Sequence, residues 1–432
     1  MKRFWKYSLH ICVFAILATL FIAPTVAQDD TFVYWGGLIF SETANDAFVA
    51  RVEEWGELRG VDVEVVMINQ NETVQRVSAA IEAGTMPDAL DLGRDFMLLL
   101  SQNEQLEPLT DLYAEIGEEH GGWLESINSV VTSDDFGGEI YGIPYAASGA
   151  NILYRRNDVL EPAGFPDAPE TWEELSEMAA AHNPPENYGM GFALSNVGDA
   201  NITTTMLQSY GGRIADDEGR NCTIDSEETR EFLTWITGAF EAGLFPPGAT
   251  TWDGAGDNTA YQSGNAVFIA NPGSVYLNIL ENDPELADWT RYSALPGGPV
   301  MRVNPVSTVV RAVPVATSDA KKELANDLFK FLSEDEFAEE YMSAAIYGPA
   351  LQSQVDFAVF SESPVHVGLL GAAINGTPGS FPDVDNASYA EYQTNFLTPN
   401  MVQRIVVDNV SIDDAIAETQ ASCQAIYDKN NE

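Results

Sequence analysis

Sixty-six Asp and Glu, four His and three Cys are the side chains in this sequence that could carry acid–base, nucleophilic or metal chemistry. Their spacing points to none of these. His120, His182 and His366 stand far apart, without the close pairing that sets two imidazoles around a zinc ion on one helix face. No GxSxG turn presents a nucleophilic serine, no glycine loop ending in Lys-Ser/Thr cradles a phosphate, and no GxGxxG opens a helix. With so many carboxylates some pair will stand at glycosidase spacing by chance, so their number is no argument for hydrolysis. Asp383-Val384-Asp385-Asn386 and the run from Asp253 to Asn258 alternate oxygens, but neither matches the twelve-residue calcium loop, and both read as Asx-rich turns. No metal, no cofactor and no catalytic residue is therefore expected. The chemistry left is recognition. Flat aromatic faces can stack on the C–H surface of a sugar while Asp, Asn and Arg fix its hydroxyls. Tyr145, Tyr210, Tyr276, Tyr347, Tyr389 and Tyr392 are available, most of them beside Gly, Ser or Asn in loop-like settings.

The elements that must position such residues begin after a leader. Lys2, Arg3 and Lys6 precede an apolar run from Ile11 to Ile22, and Thr25-Val26-Ala27 supplies small residues for cleavage. Residues 1–27 thus read as a secretory signal peptide, too short to cross a bilayer core of about 30 Å. Cys12 lacks the small-residue pattern of a lipoprotein site, so no lipid anchor is expected, and the protein is placed in the periplasm or outside the cell. The 432 residues are 45% hydrophobic and 10% aromatic, which suits large packed cores in two or three domains. A net charge of −46 excludes a nucleic-acid partner, because polyphosphate backbones need clustered cations. In an oxidising compartment Cys222 and Cys423 could pair; a bridge and two separate thiols both remain open at this point.

Phe32 to Trp35, Val61 to Ile68 and Ala89 to Leu92 are apolar, strand-length runs. Ser41 to Leu58, with Phe48, Val52 and Trp55 at helical spacing and Gly60 behind it, and Thr73 to Ala83 read as the helices between them. Strand–helix–strand–helix–strand with nearly continuous apolar strands predicts an α/β fold around a parallel sheet, whose ligand crevice lies at the strands' C-terminal ends. Those ends are Trp35-Gly36-Gly37, Asn69-Gln70 and Gly93-Arg94-Asp95. Farther on, Thr171, Ser333 and Ser411 each look like helix N-caps, Asp225 to Ala242 reads as a helix, and Gly137 to Gly142 reads as a hairpin arm leading into Ile143 to Ala146.

Taken in order, these segments resemble the extracellular solute-binding proteins of ABC importers, in the maltose-binding-like carbohydrate-uptake group (family 1). The matching runs include WGG (Trp35 to Gly37), AGTMPDALDLGRD (Ala83 to Asp95), GGEIYGIPYAASGANILYRRNDVLEPAGF (Gly137 to Phe165), YGGR (Tyr210 to Arg213), AYQSGNAVFIANPGSVY (Ala260 to Tyr276) and KKELANDLFKFLSEDE (Lys321 to Glu336). The resemblance implies a type II periplasmic-binding-protein fold. One lobe would comprise 28–146 and 313–356, the other 147–312 and 357–432, each a mainly parallel sheet flanked by helices and joined to the other by hinge strands. It implies a monomer without catalytic activity that captures a small-molecule sugar and delivers it to the permease subunits of an ABC transporter in the membrane. Carried over by position, the ligand contacts would be Trp35, Asn69, Arg94, Asp95, Tyr145, Ser148, Tyr210, Gly212, Asn271, Ser274, Tyr276, Tyr389 and Tyr392. Relatives often carry NGPW where this chain has Asn271-Pro272-Gly273-Ser274, so the tryptophan that stacks on sugar is replaced and Tyr276 is the candidate substitute. Two alternatives accompany this reading: the same fold holding a polyamine or a glycerol phosphate, and a secreted glycoside-active enzyme.

Overall fold

A computed structural model describes residues 31–39, 41–69, 72–132, 138–148, 151–181 and 188–431; the leader and His182 lie outside them. Strand β1 (Phe32–Leu38) points Phe32 and Tyr34 inward. Helix α1 (Glu42–Arg59) starts at Ser41, whose Oγ accepts the Ala44 amide at 3.2 Å, and stops at Gly60, whose φ of 67° suits glycine. Its buried face presents Phe48 and Trp55, which meet Tyr34 and Phe32 edge-on at 5.3 and 5.5 Å. Strand β2 (Val63–Asn69), helix α2 (Thr73–Ala83), strand β3 (Ala89–Gly93) and helix α3 (Arg94–Gln102) follow, close to the bounds that periodicity sets.

Both β2 and β3 pair parallel to β1, as expected. The remaining strands bring antiparallel neighbours. Strand β4 (Ile143–Ser148) enters the first sheet, β5 (Ile152–Arg156), β6 (Tyr188–Met190), β7 (Ala266–Asn271) and β8 (Thr290–Ser293) build a second one, and β9 (Ser307–Ala312) returns to the first. The orders are β2-β1-β3-β9-β4 and β6-β7-β5-β8. β9 runs antiparallel to β3 and β4, and β5 runs antiparallel to β7 and β8, so parallel pairing is confined to β1–β3 and to β6 with β7. Strands entering from the other half of the molecule need no crossover helix, and antiparallel pairing accommodates them. One buried apolar cluster surrounds the first sheet and reaches Tyr154 and Tyr261; a second holds Trp172, Phe192, Phe232 and Tyr427.

Caps follow their sequences at two of three places. Thr171 Oγ1 accepts the Glu174 amide at 3.1 Å while the Glu174 carboxylate accepts the Glu170 amide at 2.7 Å, and Ser411 Oγ accepts the Asp414 amide at 3.1 Å. Ser333 is the correction. Its hydroxyl turns back to donate to the Phe329 carbonyl at 2.8 Å, and the next helix, Asp335–Ala345, begins after Glu334. The hairpin expected at Gly137 to Gly142 is also corrected: residues 138–142 form no strand, and Ile140 is pinned by the Leu109 amide and the Thr110 hydroxyl instead.

Cys222 and Cys423 are joined by a disulfide that ties the C-terminal helix, Ile412–Asn430, to a segment 201 residues earlier. A bridge closing so long a loop removes much of the unfolded chain's freedom. Replacing both cysteines by serine is expected to lower stability by about 2–5 kcal/mol, read as a lower denaturation midpoint that no longer responds to reductant.

The end of β7 rests on a buried carboxylate. Asn271 Nδ2 donates to Asp257 Oδ2 at 2.7 Å, and burial pushes Asp257 up to about 6 despite that bond, with Asp199 adding repulsion. Because the folded value lies above the unfolded one, the folded state holds the extra proton, and stability falls as pH rises from about 4 to about 6. Asp257→Asn is expected to remove up to about 3 kcal/mol of that decline, measured as urea unfolding free energies at about pH 4 and about pH 7.

Candidate ligand-binding cleft

Three cavities lie in a row between the two sheets, and the first two share Gly93, Ser307 and Val309 as a common wall. A cavity of about 310 Å³ is lined by Ser148, Ser274, Thr308 and Tyr347, with Pro272 and Ile346 as apolar surface. The next, about 320 Å³, is lined by Gly37, Asp91, Arg94, Asp95, Phe96 and Tyr145. A larger one of about 660 Å³ begins on the far side of Arg94 and Asp95 and reaches Ser129, Phe381, Asp383 and Asp385. The topology explains the place. β1 and β3 end here side by side, and the Pro272-Gly273-Ser274 turn leaves the end of β7 to face them from the second sheet.

Local sequence shapes each wall. Gly93 leaves open space at the start of α3, where an added Cβ would meet nothing within 4 Å. Gly37 brings its amide to Asp91 Oδ2 at 3.0 Å, and Tyr34 donates its hydroxyl to Asp91 Oδ1 at 2.7 Å. Opposite Asp91 in the ladder stands Arg311, 2% exposed, its guanidinium 4.2 Å from the centre of the Tyr145 ring. Burial raises the Asp91 carboxyl above the ordinary carboxylate range, while Arg311 and the two hydrogen bonds pull it back down. Burial likewise holds the Tyr145 phenol well above its usual range, so it keeps its proton. Arg94 is fixed on three sides: Nε donates to the Val130 carbonyl at 2.8 Å, and Nη1 reaches Asp95 at 3.0 Å and Asp385 at 2.5 Å.

Arg94, Asp95, Tyr145, Ser148 and Ser274, all named from the sequence, are brought together here. The others stand elsewhere. Trp35 packs half-buried on the first core, and Asn69 is exposed at the end of β2. Tyr210 is buried against Phe232 and Trp235, with its hydroxyl on Glu173, and an added Cβ on Gly212 would fall 2.8 Å from Leu207; both serve the second core. Asn271 is buried on Asp257, one residue before the wall. Tyr276 turns its ring to Tyr292, centroids 6.0 Å apart, and so does not replace the missing tryptophan. Tyr389 and Tyr392 are buried, with hydroxyls engaged by Gln208, Gln393 and Gly379 and by Thr398. Asp91, Ser307 and Asp385 were missed. The signal for Asp91 was a charge in an otherwise apolar strand, ALDLG; Asp385 stood in the DVDN run read as an Asx-rich turn, and the isolated Ser307 gave no signal.

Among the described residues no group of three His, Cys, Asp or Glu is arranged to hold a metal ion, and no helix is long and apolar enough to cross a membrane. His120 meets Asp335 and Ser353, while His366 is buried on the Met342 carbonyl and the Ser363 hydroxyl.

Comparison with known proteins agrees with this architecture. Among solved structures, the maltose-bound MalE3 of T. maritima superposes with a TM-score of 0.70 at 23% identity, covering 92% of this chain and 99% of that one. The sugar-binding protein MalE of Xanthomonas citri gives 0.77 at 16% identity, covering 93% and 98%. These likenesses establish a type II periplasmic-binding-protein fold. Among curated sequences, a binding protein of Brucella abortus (strain 2308) is 25% identical over 242 residues, 56% of this chain and 57% of that protein. The maltotriose-binding protein of Pyrococcus abyssi is 24% identical over 213 residues, 49% of this chain and 43% of the relative. The chain thus matches about half the length of these relatives. The family model for bacterial extracellular solute-binding proteins matches residues 50–366, most of the 432, and the chain belongs to that family.

Proposed function

We propose that this protein captures a carbohydrate in the cleft between its two sheets and delivers it to the permease subunits of an ABC-type importer. The observation that carries the choice of ligand is the charge balance of the two smaller cavities. Among the described residues Asp91, Arg94 and Asp95 are the charged ones in their walls, and Asp91 and Arg94 are already engaged. A phosphate ester wants several free cations, and only Arg94, itself held by two carboxylates, is at hand. A polyamine wants free carboxylates, and Asp91 is occupied by Gly37, Tyr34 and Arg311. A neutral polyhydroxy ligand suits what is left: the hydroxyls of Ser148, Ser274, Ser307 and Thr308 beside the rings of Tyr145 and Phe96. The ligands named for relatives, maltotriose and maltose, are of that class.

The remaining readings form part of the same proposal. Residues 28–146 with 313–356 and 147–312 with 357–432 act as two lobes, except that β9 (Ser307–Ala312), inside the second stretch, belongs to the first sheet. β4 and β9 pair within the first sheet, so the hinge is taken to be the connections that follow β4 and precede β9. A sugar touching both sides shifts the population toward the closed arrangement. The protein works as an exported monomer after loss of residues 1–27, and it has no catalytic step of its own. Its family is extracellular, which supports export.

A thermal-shift screen against mono-, di- and oligosaccharides, polyols, glycerol phosphate and spermidine tests this. A ligand at 100 times its dissociation constant adds about 2.7 kcal/mol, so one group of sugars or polyols is expected to raise the melting temperature clearly. A response confined to spermidine or glycerol phosphate would refute the carbohydrate reading. Asp95, 92% exposed at its side chain, and Ser307, exposed on the shared wall, serve no core. Asp95→Ala and Ser307→Trp are therefore expected to abolish the response while leaving the ligand-free melting temperature within about 2 °C. An undiminished response from either variant would remove that residue from the site.

A further inference from the structure

We propose that Arg94 and Asp385 form a latch across the cleft, one that draws the two halves of the molecule together before any ligand is present. The inference rests on the two-lobed receptor reading for its meaning, since it concerns how that cleft closes. The partners are 291 residues apart: Arg94 opens α3 directly behind β3, and Asp385 precedes the helix Ala387–Thr394 on the side of the second core. Their 2.5 Å contact spans the gap between the halves.

Both ends are built to meet. Asp385 sits in the Asp383-Val384-Asp385-Asn386 run, whose alternating oxygens now divide into two tasks. The Asp383 side chain is wholly buried and accepts four hydrogen bonds, from Gln208 Nε2, Arg213 Nε and the amides of Ile214 and Ala215, all at 3.0–3.1 Å. Asn386 donates to the Gly219 carbonyl at 2.8 Å and caps the next helix through the Tyr389 amide at 2.9 Å. Anchored before and after, the chain holds Asp385 outward toward the other half. On the opposite side, the bond from Arg94 Nε to the Val130 carbonyl orients the guanidinium before its partner arrives. Little side-chain freedom is left to lose, which is the usual reason that exposed ion pairs are weak.

The position gives the contact its consequence. Among the described residues Arg94 is the one cation walling any of the three cavities, and it stands between the 320 Å³ cavity and the 660 Å³ one. In a chain of net charge −46, halves that approach each other repel, and a cation at the seam offsets this where it matters most. The pair also divides the cleft, so a ligand long enough to fill both cavities must displace it.

Small-angle scattering from the ligand-free protein at about 0.01 M salt, where the screening length is about 30 Å, provides the test. Asp385→Asn removes one negative charge, and general self-repulsion alone would make that variant slightly more compact. The latch predicts the opposite sign: a larger radius of gyration than wild type. Arg94→Gln is expected to expand the protein likewise, and the double variant no more than either single one, because both remove the same contact. Asp95→Asn also removes one negative charge but leaves the Arg94–Asp385 contact in place, so its radius is expected to be no larger than wild type. An unchanged or smaller radius for Asp385→Asn, or expansions that add in the double variant, would overturn the proposal. No ligand enters the measurement, so a protein that bound no sugar and still expanded would sink the carbohydrate reading and leave the latch standing.

Discussion

A guanidinium buried in a β-sheet costs several kcal/mol unless a counter-charge is placed beside it, and Arg311 sets that condition for the whole first sheet. Asp91 meets it from β3, directly across the ladder. Nε and Nη1 of Arg311 have no hydrogen-bond partner, so the cation is held by the carboxylate's field and by the face of Tyr145 rather than by a full set of donors and acceptors. Asp91 in turn collects the Tyr34 hydroxyl and the Gly37 amide from β1. Four strand ends (β1, β3, β9 and β4) are thereby tied at one point just beneath the cavity walls. That β9 arrives from more than 200 residues beyond β3 makes this tie a condition of the cleft: without it the floor would be only β1 to β3.

The second half solves the same problem with a different acid. Asp383 has no exposed side-chain surface, and its four donors fasten the loop before the helix Ala387–Thr394 onto Gln208 and the 213–215 segment. That segment continues through the Ala215–Cys222 bridge to Cys222, and from there by disulfide to the C-terminal helix. One acid and one disulfide thus join three stretches distant in sequence. Of an acidic composition that looks uniform along the chain, a small buried fraction holds the architecture, and the exposed remainder solvates it.

This division marks how far the sequence could be read. Periodicity located β1, α1, β2, α2 and β3 closely, because alternation and helical spacing are local properties, and Gly60 marked an end that a left-handed residue makes, as Gly84 does after α2 in the structure. The antiparallel entry of β9 was not legible, since nothing local to Ser307–Ala312 says which strands it will join. For the site, Arg94 and Asp95 at the end of β3 came out in the walls, while Trp35 and Asn69, named from the ends of β1 and β2, did not; Tyr145, Ser148 and Ser274, carried over by position, line the walls as well. Residues named for aromatic type divided: Tyr145 and Tyr347 line the cavities, and the other four do not. Tyr210, Tyr389 and Tyr392 sit in loop-like sequence yet bury their rings, and half-buried Tyr276 turns its ring to Tyr292, because a large amphipathic side chain near a glycine turn packs inward as readily as it faces a ligand. Ser333 failed as a cap for a similar reason, its hydroxyl having a nearer partner in the preceding helix.

Charge then decides between ligand classes in a way that composition alone would get backwards. A chain at −46 suggests a cationic ligand, yet the acids that line the two smaller cavities are few, and Asp91 is neutralised from within by Arg311. A protein that closes on its ligand brings opposing walls to within a few ångströms, well inside the screening length of about 8 Å at physiological salt, so unpaired like charges there would oppose closure directly. Pairing them removes that penalty, and it also removes the field that would hold a polyamine. On the proposed receptor reading, the requirement that would let an acidic molecule close therefore favours a ligand recognised by hydroxyls and ring faces. Ser274 puts a hydroxyl, not a ring, on the second-sheet side and shifts that balance further toward hydrogen bonds, leaving Tyr145, Phe96 and Tyr347 as the aromatic surface.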